Sequence, residues 1–400
     1  MPPDRADMEA TVRHLAGIEQ RGSTSEGERQ AAEWIAQRLR ERGGDARIEE
    51  EPAHGTYWWP AALANGMAIA GAGAALRGKR LIGAALAAVG GAGLFDDVSG
   101  GSMWFRRRLL PHRTTWNVVA EAGDRDAERT VVFIAHHDAA HGGLVFDPTL
   151  VHWGAEKFPE RFEKADEWPP LVIGTLLGPA FVAVGSLTGR KLVTRLGAVL
   201  SATTIASLLD IAFRKVVPGA NDNLTAVAVL LDLARQLMEE PVEGLRVILL
   251  STGSEESYME GMQGFGRRHF RDLDKETTTF VCLDTVGSEK ELVLVEGEGM
   301  VVMRDYPDDV KEIMMRAAER SGVHLRRGLK LRFATDGLIP LRAGFPTVSV
   351  GSCDKYKLPS NYHKPSDTPE NVNFDLVEDA AKLSETFIRE LAQDRSPQPA

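Results

Sequence analysis

Only two cysteines, Cys282 and Cys353, occur in the 400 residues. A disulfide scaffold is therefore excluded. Both end apolar runs that read as strands, so two buried thiols are expected, with a single bridge as the other reading. Positive charge is also in short supply: 47 Lys and Arg face 57 Asp and Glu, a formal net charge of −10. That excludes a chain-wide basic footprint for nucleic acid. Residues 1–50 lack the apolar core of a cleavable signal peptide, and none is expected. What is present, 43% hydrophobic and 26% charged residues, is the composition of a globular protein. The length suits one large α/β domain or two smaller ones.

Periodicity organises much of the chain. Ser25 and Glu28 form a capping-box pattern ahead of Ala31, Ala32, Ile35 and Leu39 at helical spacing, and Gly43-Gly44 ends that helix. Strands are predicted at 46–52, Asn117–Ala120, Thr130–Ala135, Leu245–Leu250, 279–284, 291–296 and Thr347–Val350. Helices are predicted at 222–238, 308–321 and 375–392. Strands alternating with helices indicate an α/β fold: a mixed, mostly parallel sheet flanked by helices on both faces. In such sheets ligands gather at the carboxyl ends of the strands.

Two segments lack charge. Residues 55–76 hold no Asp, Glu, Lys or Arg; Arg77, Lys79 and Arg80 follow, and Leu81–Phe95 is again uncharged. Residues 168–189 and Leu196–Leu209 repeat the arrangement around Arg190-Lys191. Each reads as an inserted helical hairpin whose first arm reaches the ~20 apolar residues of a membrane span and whose second arm is short. Tyr57, Trp58, Trp59, Trp104, Phe105, Trp168 and Phe213 mark the edges, with Arg106, Arg107, Arg108, Arg214 and Lys215 outside them, an interfacial pattern. Gly66, Gly71, Gly73 and Gly83 permit close helix approach. Membrane association through residues 55–105 and 166–215 is expected; a soluble cap or a dimer-forming four-helix layer is the other reading. Charge flanks both ends of the hairpins and sets no orientation; without a translocation signal the catalytic part is expected on the cytoplasmic side. Residues 1–54, 106–165 and 216–393 then form the catalytic domain, and 394–400 a flexible tail.

Chemistry-bearing residues fall where strands end or helices begin. His136 ends an apolar strand, and imidazole is the commonest zinc ligand; Asp138, two positions on, is a carboxylate able to receive its second N–H. Asp222 stands before an apolar helix, where a carboxylate is favoured. Glu255 and Glu256 follow a fully apolar strand, and adjacent carboxylates can divide labour, one binding metal and the other taking a proton. Asp284 ends another strand. His363 lies in a loop with Tyr356, Tyr362 and Asp367.

In order and wording these motifs resemble metallopeptidase family 28, the zinc aminopeptidase and glutaminyl cyclase group. The matching pieces are Ala135-His136-His137-Asp138, Gly219-Ala220-Asn221-Asp222-Asn223, Glu255-Glu256, Leu283-Asp284 and His363-Lys364-Pro365-Ser366-Asp367-Thr368. Thr335-Asp336 and Ala343-Gly344-Phe345-Pro346 resemble its substrate-side stretch. The resemblance implies two Zn2+. His136, Asp222 and Asp284 would hold one, and Asp222, Glu256 and His363 the other. Glu255 would be the general base, Asp138 the partner of His136, and Asp222–Asn223 a cis peptide. Tyr356, Tyr362 and Asp336 are substrate-side candidates. The implied activity is peptide hydrolysis by an aminopeptidase, with a non-catalytic scaffold and a glutaminyl cyclase-like acyl transfer as alternatives. The chain departs from the family in Ser257-Tyr258-Met259-Glu260, which precede Gly261-Met262. Both hairpins leave the sheet at the metal-binding end and are expected to flank the site's mouth.

Overall fold

A computed structural model describes residues 1–167 and 172–393; Trp168 and the tail from residue 394 lie outside them. The strands are β1 (Asp45–Ala53), β2 (Arg113–Gly123), β3 (Thr130–His136), β4 (Arg246–Thr252), β5 (Thr278–Leu283), β6 (Glu291–Glu298), β7 (Arg304–Asp305), β8 (Leu325–Leu331) and β9 (Thr347–Cys353). The helices are α1 (Arg5–Ala16), α2 (Glu26–Glu41), α3 (Trp58–Leu76), α4 (Arg80–Val98), α5 (Trp104–Leu109), α6 (Thr149–Lys157), α7 (Pro159–Lys164), α8 (Ile173–Thr188), α9 (Lys191–Phe213), α10 (Thr225–Glu239), α11 (Glu260–His269), α12 (Asp308–Ser321), α13 (Leu338–Ala343) and α14 (Phe374–Gln393).

The strands form one mixed sheet in the order β1-β2-β4-β3-β5-β9-β6-β7, with β8 also on β6. Its centre, β4-β3-β5-β9, is parallel. The flanking pairs β1-β2, β2-β4, β9-β6 and β6-β7 are antiparallel, while β8 joins β6 in parallel. The central strands are covered on both faces, and β3 is buried throughout. Val131, Phe133 and Ala135 face the core beneath α1, α2, α10, α12 and α14. Val132 and Ile134 face the core beneath α11 and α13. The expected mixed sheet with two helical layers is therefore the observed fold. Strand β8 escaped notice because Arg326, Arg327 and Gly328 interrupt its apolar pattern; it tolerates them beside β6, where the register shifts twice.

The two inserted segments fold as helical hairpins, α3–α4 and α8–α9, packed together. Arm lengths differ from expectation: α4 has 19 residues and α9 has 23, whereas α8 has 16. Uncharged runs underestimate the second arms because the helices continue through Arg80, Asp96 and Asp97, and through Lys191, Arg195 and Asp210, at their ends. By length and composition α4 and α9 could each cross a membrane. Small residues set the contacts. A Cβ on Gly83 would lie 2.5 Å from the Gly71 carbonyl oxygen, and one on Gly197 2.6 Å from the Val182 nitrogen. Gly66 and Gly73 make no such interhelical approach. Arg80 Nε donates to the Ser186 carbonyl at 2.9 Å, tying the two hairpin turns together at one tip.

This packing separates two glycines of one hairpin. Gly83→Ala overpacks the crossing and is expected to lower stability by about 1–3 kcal/mol. Gly66→Ala fills open space and gains helix propensity of up to about 1 kcal/mol. Thermal unfolding of the full chain checks both signs; equal shifts for the two would contradict the observed crossing.

Candidate metal centre and active site

The ends of three parallel strands build the site. His136 is the last residue of β3 and pairs in register with Thr252 of β4, after which the chain turns through Glu255–Ser257. Asp284 follows β5 directly. Asp222 comes from the turn that opens α10, and its bond to Asn223 is cis. His363 reaches in from the loop after β9, with φ at 53°.

All five expected ligands meet. His136 Nε2 lies 3.2 Å from Asp222 Oδ1 and 3.9 Å from Asp284 Oδ2. His363 Nε2 lies 3.4 Å from Asp222 Oδ2 and 3.2 Å from Glu256 Oε2. The donor atoms form three groups, each within 4.8 Å: His136, Asp222 and Asp284; Asp222, Glu256 and His363; and His136, Glu255 and Glu256. The first two share Asp222, as a bridging carboxylate requires.

A second layer fixes these side chains. His136 Nδ1 is closer to the Asp138 carbonyl (3.1 Å) than to its carboxylate (3.4 Å). The Asp138 carboxylate also accepts from the Ser23 hydroxyl at 2.7 Å and from the backbone N–H groups of Glu255 and Glu256 at 3.0 and 3.2 Å. It orients the glutamate turn as well as the histidine. Glu28 caps its helix by accepting from Thr24 N, but its other oxygen accepts from Ser254 N, Ser254 Oγ and Thr115 Oγ1. Asp367 accepts the N–H groups of Asn221 and Asp222 at 2.8 and 3.1 Å. Buried Arg21 donates to the carbonyls of His137 and Pro218, bracing the end of β3 against the Asp222 turn. His137 is buried and bonded to Ser251; His141 packs against Trp58 with the rings tilted by 59° and bonds the Arg214 carbonyl.

The electrostatics call for a cation. Burial, against the pull of His136 and with the repulsion of Glu256, Asp336 and Asp284, pushes Glu255 well above the usual carboxyl range. Burial likewise raises Asp284 and Glu256. Burial opposes charge on Asp222, yet His136 and His363 hold it well below that range. Burial also opposes charge on His363, but Glu256 and Asp222 lift it to about 10. Carboxylates so close need neutralisation. Asp222 Oδ2 and Glu256 Oε1 are buried and accept no hydrogen bond, so acceptor capacity stands open where cations would sit. Nitrogen and oxygen donors of this kind suit zinc.

A cavity of about 750 Å³ opens over Glu255, Glu256 and His363. Tyr57, Ala61 and Val98 of the first hairpin and Thr203, Ser207 and Ile211 of the second line it, so both hairpins wall the site. Tyr362 lines it and stacks on His363 with ring centroids 3.9 Å apart. Tyr356 does not line it; its hydroxyl donates to Glu156 Oε1 at 2.8 Å. Asp336 does not line it either; it is buried and accepts from the Thr252 hydroxyl, close enough for its charge to act on Glu255 and Asp284.

Residues 202–388 match the family model described as Peptidase family M28. That span holds Asp222, Glu255, Glu256, Asp284 and His363. With the motifs, the match supports a likeness of this chain to the M28 peptidases over that span. No curated protein matches the sequence. Similar solved structures include a Zn-dependent exopeptidase from Parabacteroides distasonis (TM-score 0.58, 12% identity, 97% of this chain and 98% of that one). An aminopeptidase from Aneurinibacillus sp. strain AM-1 gives 0.58 at 15% identity, over 100% and 97%. A glutaminyl cyclase from Bacteroides thetaiotaomicron gives 0.58 at 13%, over 97% and 98%. These likenesses establish the zinc-peptidase-like fold. Family and fold together support a peptidase-like hydrolase that uses zinc.

Because Asp138 holds three donors around the centre, Asp138→Ala is expected to weaken zinc binding by about 10–100-fold. Competition with a chromophoric chelator measures this; parental affinity in the variant would contradict the role of Asp138.

Proposed function

We propose that the protein is a co-catalytic two-zinc aminopeptidase with Glu255 as general base. The observation that carries this reading is the pair of donor groups sharing Asp222 while Glu255 remains beside them, facing the cavity. His136, Asp222 and Asp284 would hold one zinc, and Asp222, Glu256 and His363 the other. Zinc bound there would polarise the scissile carbonyl and make water acidic enough to be deprotonated near neutral pH. Glu255 takes that proton on its carboxylate and delivers it to the departing amine. Tyr362, which lines the cavity and stacks on His363, would be the phenol that donates to the developing oxyanion. The aromatic and apolar cavity wall suits an apolar residue or an amphipathic peptide.

Glu255→Gln keeps the shape and removes the base. Turnover of leucine p-nitroanilide and of a peptide library is expected to fall about 10²–10⁴-fold, with zinc retained. Elemental analysis of the parent is expected to give two zincs per chain. One zinc with pyroglutamate formation would replace this reading with a cyclase; no zinc and no turnover would replace it with a scaffold.

We also propose that the four-helix unit enters a bilayer. A 19-residue helix spans about 28 Å at ~1.5 Å per residue, close to the ~30 Å hydrocarbon thickness. The unit exposes Leu81, Ile82, Val184, Leu187, Leu192 and Val199. Exposed apolar area of that extent needs a partner. Trp59 and Trp104 sit near one end, and Arg77, Lys79, Arg80, Arg190 and Lys191 near the other. Flotation with phospholipid vesicles is expected to carry the full chain upward; protein left at the bottom of the gradient would refute the association.

A further inference from the structure

We propose that the first hairpin is a strut that positions the Glu255–Glu256 turn, with Arg106 and Glu260 as its positioning residues. The proposal rests on reading that turn as part of a peptidase centre.

The turn is conformationally expensive. Ser254, Tyr258 and Met259 all have φ between 51° and 71°, a region that side chains other than glycine's disfavour. Such a backbone persists only where its surroundings hold it from several sides. On the N-terminal side the holders are Glu28 and Asp138. On the C-terminal side they come from the hairpin. Arg106 is fully buried. Its Nε and Nη2 donate to both oxygens of Asp97, each at 2.9 Å, and its Nη1 donates to the Ser257 carbonyl at 2.6 Å. Glu260 accepts from Ser257 Oγ at 2.8 Å, from the backbone N–H groups of His54 and Gly55 at 2.8 and 3.0 Å, and pairs with His54 Nδ1 at 2.7 Å.

His54 and Gly55 lead into the hairpin, whereas Asp97 and Arg106 lead out of it. Both ends are thus gathered onto the residues that follow Glu256. Tyr258 completes the joint: it stacks on Tyr57 with centroids 5.3 Å apart and lies 5.2 Å below the Arg106 guanidinium. Ser257, Tyr258 and Glu260 belong to the four residues in which the chain departs from the family pattern. The departure and the hairpin therefore form one device. Simple attachment could use apolar packing, which avoids the desolvation of buried ions. A planar fork reaching one carboxylate and one carbonyl instead fixes direction.

The test uses the full chain and two variants. Arg106→Lys keeps the charge and loses the fork. The paired change Asp97→Met with Arg106→Met removes both charges, so neither is left buried alone. Folding is followed by circular dichroism, turnover with leucine p-nitroanilide, and metal binding by zinc competition with a chelator. Both variants are expected to fold, with kcat lowered roughly 10- to 100-fold, the penalty for misplaced reacting groups, KM little changed, and weaker zinc binding through Glu256. A role in filling space or supplying charge would be rescued by lysine. Folded variants with parental kcat and parental zinc affinity would overturn the strut. If the parent binds zinc but cleaves no peptide, the peptidase reading fails, and the strut stands or falls on zinc affinity alone.

Discussion

Five carboxylates and two imidazoles share one buried pocket at the ends of β3, β4 and β5, and the rest of the molecule is arranged around that excess of negative charge. Asp138, Asp222, Glu255, Glu256 and Asp284 cannot all ionise at such separations without compensation. That excess raises the proton affinities of His136 and His363; divalent cations held by the neutral imidazoles would neutralise the same charge in place of those protons. Arg21, whose pKa burial lowers only to about 10, adds a fixed positive charge behind the pocket. The same logic explains the backbone donors aimed at Asp138 and Asp367: a buried carboxylate is tolerable when N–H groups surround it. The strained turn at Ser254 is held by such a bond to Glu28, which concentrates the conformational cost beside the paired glutamates.

Much of this centre was legible in the sequence because strand ends are legible. Val131–Ala135, Val247–Leu250 and Phe280–Leu283 are uninterrupted apolar runs, and the polar residue ending each must emerge at the sheet's edge. His136, Glu255, Glu256 and Asp284 were singled out on that principle, Asp222 by its place before a helix, and His363 by the family resemblance. The supporting layer was not. Arg21 lies in a loop with no periodicity, and a lone arginine carries no sign of burial. Glu28 fitted a helix cap, which it is, and the cap hid its second role at Ser254. Asp336 was read as substrate-side because its neighbours resembled such a stretch, whereas its bond to Thr252 and its burial beside Glu255 and Asp284 could not be read from the sequence. Sequence pattern reports which residues end an element; which third element closes over them depends on tertiary packing.

The hairpins show the same division. Their apolar arms were visible as runs without charge. Their true lengths were not, since charged residues at helix ends can lie along the surface while the helix continues. Nor does composition distinguish a glycine that faces another backbone from one that faces open space. Gly71 and Gly83 touch across the crossing, whereas Gly66 meets nothing. Contact between small residues is how helices associate where no hydrophobic force separates them from their solvent, and this crossing is consistent with the bilayer reading.

The fold alone does not choose a reaction. Exopeptidase, aminopeptidase and glutaminyl cyclase structures share it with the chain at the same TM-score of 0.58, and a shared fold hosts different chemistries. The choice lies in the site. A shared Asp222 between two donor groups is what a metal pair would need, and Glu255, beside them and lining the cavity, is the base we propose for it. What the hairpins change is access. Aromatic Tyr57 and Tyr258 and the Thr203–Ile211 face of α9 turn an open cleft into a walled cavity. On the proposed reading, the inserted helices that line the cavity would shape substrate preference, while the bond-breaking groups would be those gathered at the strand ends.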